Sequence, residues 1–266
     1  MKISFYKMHG AGNDFVVVDD RDGRFPSADR ALLRFLGRRR TGVGCEGILL
    51  LQRPQAGGDV RMRFFNPDGS EQAMCGNGAR CLARLAFELG AAPRRMVLET
   101  AAGPVRAEVE EGGGRVRLWL TAPRGYRPDL EPEAGLRADF VNTGVEHLVV
   151  RVERLAGLDV DGLGRRLREH PLFAPAGTNV NFVAPRADGS LDLRTYERGV
   201  EAETLACGTG AAAAAFTAEK RGWTRLPVVV HCPGGDLEIG RDGDRLTLLG
   251  GAEHVYRGEL EYGDRL

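Results

Sequence analysis

Asn66-Pro-Asp-Gly-Ser-Glu-Gln-Ala-Met-Cys-Gly-Asn-Gly-Ala-Arg80 is the stretch on which the fold prediction depends. Turn-forming residues open it, and a cysteine followed by Gly-Asn-Gly leads into the helical pattern of residues 79–89. Glycine and asparagine favour turns, and the residues after them repeat with helical periodicity. The stretch therefore predicts a loop that feeds a helix whose first turn carries Cys75.

The same arrangement returns as Ala206-Cys-Gly-Thr-Gly-Ala-Ala-Ala-Ala-Ala-Phe-Thr-Ala218. At a fixed offset of 132 residues, Cys75 falls on Cys207 and Glu71 falls on Glu203. Agreement of this kind at one offset is the signature of an internal repeat, so we interpret the chain as two copies of one α/β unit. The same offset brings Gly76, Gly78, Ala79, Ala83, Ala86, Gly90 and Gly103 onto Gly208, Gly210, Ala211, Ala215, Ala218, Gly222 and Gly235.

The repeat sets the expected domain boundaries. Residues 123–132 are rich in turn formers and are interpreted as a linker between the copies. The segment 254–262 reads as a strand left over after the second copy, and it is expected to return to the first domain. We therefore expect a first half over residues 1–121, joined by the strand segment 253–266, and a second half over residues 122–252.

The first elements of the chain are expected to be strands around a turn. Residues 2–6 and the apolar run 15–18 read as strands, and the Gly/Asn-rich segment 9–14 between them reads as a turn. Asn13 is therefore expected on a loop at the edge of a sheet. Ser27 is expected to cap a helix over residues 28–36.

Composition and charge restrict the class of protein. The chain has 266 residues, 42% of them apolar, which suffices for a sizeable core, and its formal charge is zero. Neutrality gives no general attraction to nucleic acid or to an anionic membrane, and neither is expected as a partner. The start lacks a signal-peptide pattern, so a soluble cytosolic protein is expected.

Five cysteines without paired short spacings argue against a disulfide framework and favour free thiols. Cys75 and Cys207 are the two that the repeat keeps. Cys45, Cys81 and Cys232 have no partner in the repeat and are interpreted as packing residues.

Two thiols at two helix starts suggest a particular chemistry. Free N–H groups and the helix dipole are expected to lower the pKa of a cysteine there and to bind a carboxylate. If the two copies pack about a pseudo-twofold axis, Cys75 and Cys207 would approach one substrate from opposite sides. One thiolate would remove the proton from an amino acid's Cα and the opposite thiol would return one, which inverts the configuration.

The signature Asn66-Pro-Asp-Gly-Ser-x-x-x-Met-Cys-Gly-Asn-Gly-x-Arg80 resembles that of the diaminopimelate epimerase family. The resemblance extends to the segments 7–15, 196–199 and 205–211 and along almost the whole chain. It implies an α/β (α+β) fold of two pseudo-twofold-related domains, each a sheet wrapped around a central helix. It also implies an isomerase of lysine and peptidoglycan biosynthesis that interconverts LL- and meso-2,6-diaminopimelate without a cofactor or metal.

The resemblance assigns roles to residues at the matching positions. Cys75 and Cys207 would be the base and the acid, with His147 and Glu197 near the thiols. Backbone groups of the first helical residues would hold the reacting carboxylate, and asparagines with Arg198 would contact the distal centre, where arginine offers a bidentate fork. The expected substrate-binding residues are Asn13, Asn66, Gly76, Asn77, Asn179, Glu197, Arg198, Gly208 and Thr209.

The chain departs from the family pattern at two places. Gly144-Val-Glu-His147 stands where some members have Gly-Asn-Pro-His, so Val145 removes an asparagine contact to the distal carboxylate. Cys45-Glu46-Gly47 replaces the more usual Ala-Asp-Gly. The first departure leaves other diamino acids open as substrates.

Proline racemases and hydroxyproline epimerases use the same two-cysteine scheme, but a histidine usually stands there where this chain has Asn77. A non-enzymatic binding protein and a redox protein that joins Cys75 to Cys207 are the alternatives from other classes. Whether two subunits pair is also open, a homodimer being the assembly considered.

Overall fold

The computed structural model describes residues 2–263, which form a sheet-dominated α+β protein. Contacts divide it into two compact units, one of residues up to Leu118 together with those from Gly250 onward, the other of Trp119–Leu249. The last three residues of the expected segment 253–266 lie outside the described part of the chain. None of the helices in residues 2–263 is long and apolar enough to cross a membrane.

The first unit alternates strands with two helices. Its elements before the second unit are β1 (Lys2–Gly10), β2 (Asn13–Asp19), α1 (Arg30–Gly37), β3 (Gly47–Gln52), β4 (Val60–Phe65), β5 (Glu71–Gln72), α2 (Gly76–Glu88), β6 (Arg95–Thr100), β7 (Gly103–Val109) and β8 (Arg115–Trp119).

The second unit repeats this succession. Its elements are β9 (Arg124–Glu133), β10 (Leu136–Asn142), β11 (Glu146–Arg151), α3 (Val160–Arg168), a 3-10 turn (Pro171–Phe173), β12 (Asn179–Pro185), β13 (Leu191–Glu197), β14 (Ala202–Thr204), α4 (Gly208–Lys220), β15 (Val228–Cys232), β16 (Gly235–Asp242) and β17 (Arg245–Gly251). The last strand, β18 (Glu253–Glu261), pairs antiparallel with β1 of the first unit.

Each unit wraps its strands around one central helix. Helix α2 contacts β1, β2, β3, β4, β6 and β7, and α4 contacts β10, β11, β12, β13, β15 and β16. A helix enclosed in this way must be apolar or small on most of its surface. The alanines 211–215 of α4 are all fully buried, which is why their run suits this position.

A second helix in each unit covers the other face of the strands. Because side chains alternate along a strand, Val16, Ile48 and Leu50 pack in a cluster with the leucines of α1. Phe15 and Leu49 point the other way, against Gly78 of α2. Each pair of central strands is therefore buried on both faces. Helix α3 forms the corresponding cluster in the second unit.

Parallel strand pairs occupy equivalent positions in the two units. Strands β2 and β3 run parallel with Phe15 opposite Gly47, and β11 and β12 run parallel with His147 opposite Asn179. Strand β4 pairs antiparallel with β3, as β13 does with β12.

Three local predictions are wrong. The segment 123–132 is not a linker but most of β9, which pairs with β10 through Arg124, Arg127, Leu130 and Glu133. Its prolines, which lack an N–H group, fall between those paired positions, so the ladder tolerates them. This is why a stretch rich in turn formers can still be a strand.

Asn13 does not lie on a loop, because the turn is shorter than predicted. Ala11 and Gly12 both have positive φ, 53° and 80°, as in a two-residue hairpin turn, and Gly10 pairs directly with Asn13. Asn13 is thus the first residue of β2. The cap of α1 is Asp29 rather than Ser27, since its carboxylate accepts from the N–H groups of the first turn.

Candidate active site

Cys75 and Cys207 occupy the same place in their units. Each is the N-cap of the central helix in extended backbone conformation, with φ and ψ of −140° and 122° for Cys75 and −116° and 111° for Cys207. The helices begin one residue later, so Cys75 precedes the first turn instead of lying in it. The first intrahelical bonds are donated by Ala79 and Ala211. The N–H groups of the three residues after each cysteine therefore lie outside the helical bonding pattern.

In the first unit, Asn13 and Asn77 lie beside the Cys75 thiol. The sulfur of Cys75 is 3.8 Å from Oδ1 of Asn13, and Nδ2 of Asn77 donates to the same oxygen at 3.4 Å. Nδ2 of Asn13 donates to the carboxylate of Glu46. Among residues 2–263, apart from its chain neighbours and the backbone of its own helix, no atom comes within 4 Å of the point where a side chain would begin at Gly76, so its backbone is open to approach.

Asn66 lies in the turn between β4 and β5. Its backbone N–H donates to Ser70 O at 2.9 Å and its Nδ2 contacts the Ser70 hydroxyl at 3.4 Å. These bonds orient the amide. Its expected role toward a substrate stays a prediction.

In the second unit, the Cys207 thiol is buried and lies against Thr209. The sulfur is 3.6 Å from the Thr209 hydroxyl, and Thr143 Oγ1 donates to the Thr209 carbonyl at 2.8 Å. Burial raises the pKa of Cys207 far above its usual value, and the charge of Glu197 raises it further. Hydrogen bonds from Thr209 and the N–H of Gly210 oppose this rise without reversing it.

The prediction of a lowered pKa is therefore wrong for Cys207. Desolvation has a larger effect on this pKa than the helix N-terminus. A buried thiolate loses more stabilisation from water than one N–H donor at the helix start supplies. Cys207 rests as a neutral thiol. Glu197, at the end of β13, accepts from Thr204 Oγ1 at 3.0 Å.

A buried polar layer lies beneath the start of α4. Asn181 is fully buried, and its Nδ2 donates to Leu148 O at 3.0 Å and contacts Nδ1 of His147 at 3.1 Å. Thr195 Oγ1 donates to Asn181 Oδ1 at 3.1 Å. The Asn181 amide thus makes all three of these contacts.

This layer fixes the protonation of His147. Burial lowers the pKa of His147 to about 3, and the charge of Arg198 adds to the effect, so the ring is neutral. An amide nitrogen only donates, hence Nδ1 accepts from Asn181 and the ring proton sits on Nε2. Within residues 2–263, that Nε2 is buried without a hydrogen-bond partner. His147 therefore presents a neutral N–H donor.

Sequence reasoning missed Asn181 and Thr195. The signal was in the repeat, because Leu49 stands at the position of Asn181 at the same offset, and it pairs with Phe64 as Asn181 pairs with Thr195. Only the second unit exchanges these apolar residues for polar ones. Polar residues that replace apolar ones at buried positions in only one of two copies indicate a role other than packing.

Asn179, Glu146 and Arg198 form a ring at the start of β12. Asn179 Nδ2 donates to Glu146 O and its Oδ1 accepts from the N–H of Arg198, both at 2.9 Å. The guanidinium of Arg198 lies 3.1 Å from the Glu146 carboxylate. Of these three residues, sequence reasoning missed the role of Glu146.

Two of the remaining cysteines are too buried to be reactive thiols. Burial raises the pKa of Cys45 to about 11 and that of Cys81 to about 12. Cys232 is half-buried in β15. Cys45 and Cys81 are thus poor nucleophiles, in keeping with a packing role.

Comparison with known proteins identifies the family. The model of the diaminopimelate epimerase family matches residues 5–124 and 140–258. The diaminopimelate epimerase of Aquifex aeolicus is 41% identical over 97% of this chain and 98% of its own length. That of Archaeoglobus fulgidus is 40% identical over 98% of this chain and 97% of its own length.

Solved structures share the fold at lower identity. A PhzF-family phenazine biosynthesis protein of Bacillus anthracis has a TM-score of 0.73 and 18% identity, covering 98% of this chain and 100% of its own. A probable proline racemase of Agrobacterium radiobacter has a TM-score of 0.70 and 21% identity, covering 98% and 93%. The predicted fold class is confirmed. By its sequence along nearly its whole length, the chain belongs to the diaminopimelate epimerase family.

Proposed function

We propose that this chain interconverts LL- and meso-2,6-diaminopimelate by a two-base mechanism that uses its own thiols. The observation that carries the proposal is the pair of cysteines, each capping the central helix of its unit, in a chain of the diaminopimelate epimerase family. Such an isomerase would serve lysine and peptidoglycan biosynthesis. We place it in the cytoplasm, with a homodimer as the assembly to test.

The reaction removes the Cα proton and returns one to the opposite face. One cysteine enters as thiolate and takes the proton, while the other enters as thiol and donates its own, so that the two exchange roles in the reverse direction. The carbanion's charge spreads onto the substrate carboxylate. N–H groups of Gly76, Asn77, Gly208 and Thr209 stabilise it, because preorganised donors favour charge that develops in the transition state.

The surroundings of the two thiols support this division of labour. Burial holds Cys207 as a thiol at neutral pH, which suits the proton donor. Cys75 is only half-buried, with Asn13 and Asn77 beside it. We assign Glu197 and the neutral N–H of His147 to adjusting the Cys207 side of the site.

We assign recognition of the distal amino acid centre to four polar side chains. Arg198 offers the charge that a distal carboxylate needs, and Asn13, Asn66 and Asn179 offer amide donors and acceptors. Val145 supplies no such group. Arg198 must therefore supply more of the binding of the distal carboxylate than it would if position 145 were an asparagine.

Racemisation of proline or epimerisation of hydroxyproline is the second candidate, favoured by the shared fold of the proline racemase structure. Asn77 stands against it, since those enzymes usually have a histidine there.

Incubation of the purified protein with LL-diaminopimelate, proline, lysine and ornithine separates the candidates. Chiral chromatography should detect meso-diaminopimelate without added pyridoxal phosphate or metal, and no inversion of the other three. Turnover of proline alone would replace the proposal with the second candidate, and no turnover of any would leave a binding or redox protein.

A further inference from the structure

The guanidinium of Arg198 is anchored by one of its nitrogens. Nη1 donates to the carbonyls of Ala176 and Gly177, each at 3.1 Å, and lies 3.1 Å from Oε2 of Glu146. In the part of the chain that the structure describes, every hydrogen bond and ion pair of this guanidinium uses Nη1. The edge formed by Nη2 and Nε is left to receive a carboxylate.

Glu146 is itself fixed at several atoms. Its Oε1 accepts from Asn142 Nδ2 at 3.2 Å, and its backbone carbonyl accepts from Asn179 Nδ2 at 2.9 Å. Asn179 Oδ1 in turn accepts from the backbone N–H of Arg198 at 2.9 Å. Glu146 and Arg198 are therefore held by Asn179 at the backbone and by their own ion pair at the side chain. Both side chains are partly exposed, 35% for Glu146 and 24% for Arg198.

This arrangement controls which way the arginine fork points. Arginine gives its strongest recognition of a carboxylate through two parallel N–H bonds, which requires the fork to be oriented before the ligand arrives. Two carbonyls alone leave the planar group free to tilt about Nη1, while a charged partner on the same nitrogen opposes the tilt. The adjacent Val145, 37% exposed, offers no polar restraint.

We propose that Glu146 is the positioning residue for Arg198, and that it fixes the guanidinium so that the Nη2–Nε edge receives the distal carboxylate of the substrate. The inference rests on the proposed function for the identity of that carboxylate. Glu146 contributes to binding and takes no part in proton transfer.

The test compares Glu146→Gln, Glu146→Ala and a matched control, Glu153→Gln, which removes a charge from an exposed glutamate of the same unit. With LL-diaminopimelate, Glu146→Ala should raise KM about threefold to tenfold, the scale of one partly exposed hydrogen-bonded ion pair. The KM of Glu146→Gln should lie between those of wild type and Glu146→Ala. In both variants kcat should stay unchanged, and the control should behave as wild type. In an Arg198→Ala background, Glu146→Ala should have no further effect.

Two kinetic results would overturn the inference. A lower KM in Glu146→Ala would mean that this carboxylate competes with the substrate for Arg198, and an equal rise in KM with and without Arg198 would mean a general structural effect.

A readout that needs no activity separates this inference from the proposed function. Nitrogen-15 spectra of the guanidinium groups, with the Arg198 signals assigned by their loss in Arg198→Lys, report rotation about its Nε–Cζ bond. Rotation should be about threefold to tenfold faster in Glu146→Ala than in wild type, by the same ion-pair scale. Unchanged rotation overturns the positioning role, whereas absence of diaminopimelate turnover with faster rotation overturns only the proposed function.

Discussion

Replacement of Gly210 by alanine should destabilise the second unit through the buried polar layer. A Cβ at this position would lie 2.3 Å from Oδ1 of Asn181 and 3.3 Å from the sulfur of Cys207. Asn181 cannot retreat cheaply, because its amide is bonded to Leu148 and His147 and its Oδ1 accepts from Thr195.

The magnitude follows from three effects. Overpacking a tight interior costs about 1–3 kcal/mol. Displacing Oδ1 from its donor costs about 1 kcal/mol for a lost hydrogen bond. Alanine in a helix returns about 1 kcal/mol relative to glycine. We therefore expect the free energy of unfolding of the second unit to fall by about 2 kcal/mol, with the overpacking effect dominant.

Urea unfolding followed by tryptophan fluorescence measures this directly, since Trp223 lies within the second unit and Trp119, the last residue of β8, is the first residue of that unit. With a slope of about 2 kcal/mol per molar urea, the midpoint should fall by about 1 M. Gly78→Ala is the matched control at the equivalent position, where the nearest atoms to the new Cβ are methyl carbons of Leu49 at 3.1 and 3.2 Å and a ring carbon of Phe15 at 3.4 Å. An unchanged midpoint for Gly210→Ala would refute the rigidity assigned to this layer.

Two further predictions concern charges and protons in the second unit. In Asn181→Asp, a carboxylate oxygen should replace the amide donor, accept a hydrogen bond from Nδ1 of His147 and so shift the ring proton from Nε2 to Nδ1, which should reduce kcat about a hundredfold, the scale of one lost preorganised donor; imidazole nitrogen-15 shifts check the tautomer, and an unchanged tautomer would contradict the assignment. Burial alone would raise the pKa of Asp139, but hydrogen bonds from Arg221, the N–H of Asp129 and Tyr126 lower it overall. The ionised Asp139 therefore stabilises the fold above its unfolded pKa of about 3.9, and this stabilisation is lost as pH falls through the lower folded pKa. Arg221→Met should therefore cost about 3 kcal/mol at pH 7, and its deficit relative to wild type should narrow as pH falls below the unfolded pKa of Asp139, measured by urea titrations from pH 3 to 7, with parallel profiles counting against it.

The sequence permitted prediction of the features that repeat. Cys75 and Cys207 could be paired because one offset related them and their glycines, and helices α2 and α4 begin one residue after them. Turn-forming residues led to a wrong prediction for residues 123–132, where pairing with another strand determines the structure. The prolines of β9 fall between paired positions, a fact that only the register reveals.

Burial and cross-strand contacts explain the rest of what sequence reasoning missed. The raised pKa of Cys207 depends on how completely α4 is enclosed, which composition does not specify. Asn181 and Thr195 became meaningful only when the register set them opposite each other beneath the helix start. Glu146 lies in the segment that departs from the family pattern, but its contact with Arg198 depends on the starts of β11 and β12 lying side by side.

The proposed mechanism assigns the two faces of Cα to two different thiols. Epimerisation of LL-diaminopimelate in deuterium oxide tests this assignment when the reaction is stopped early, before meso product converts back, and the separated isomers are analysed by mass spectrometry. Two thiols predict deuterium at Cα of the meso product, none in the remaining LL substrate, and no inversion by Cys75→Ser or Cys207→Ser. Equal early deuteration of substrate and product, or full activity of either serine variant, would contradict it.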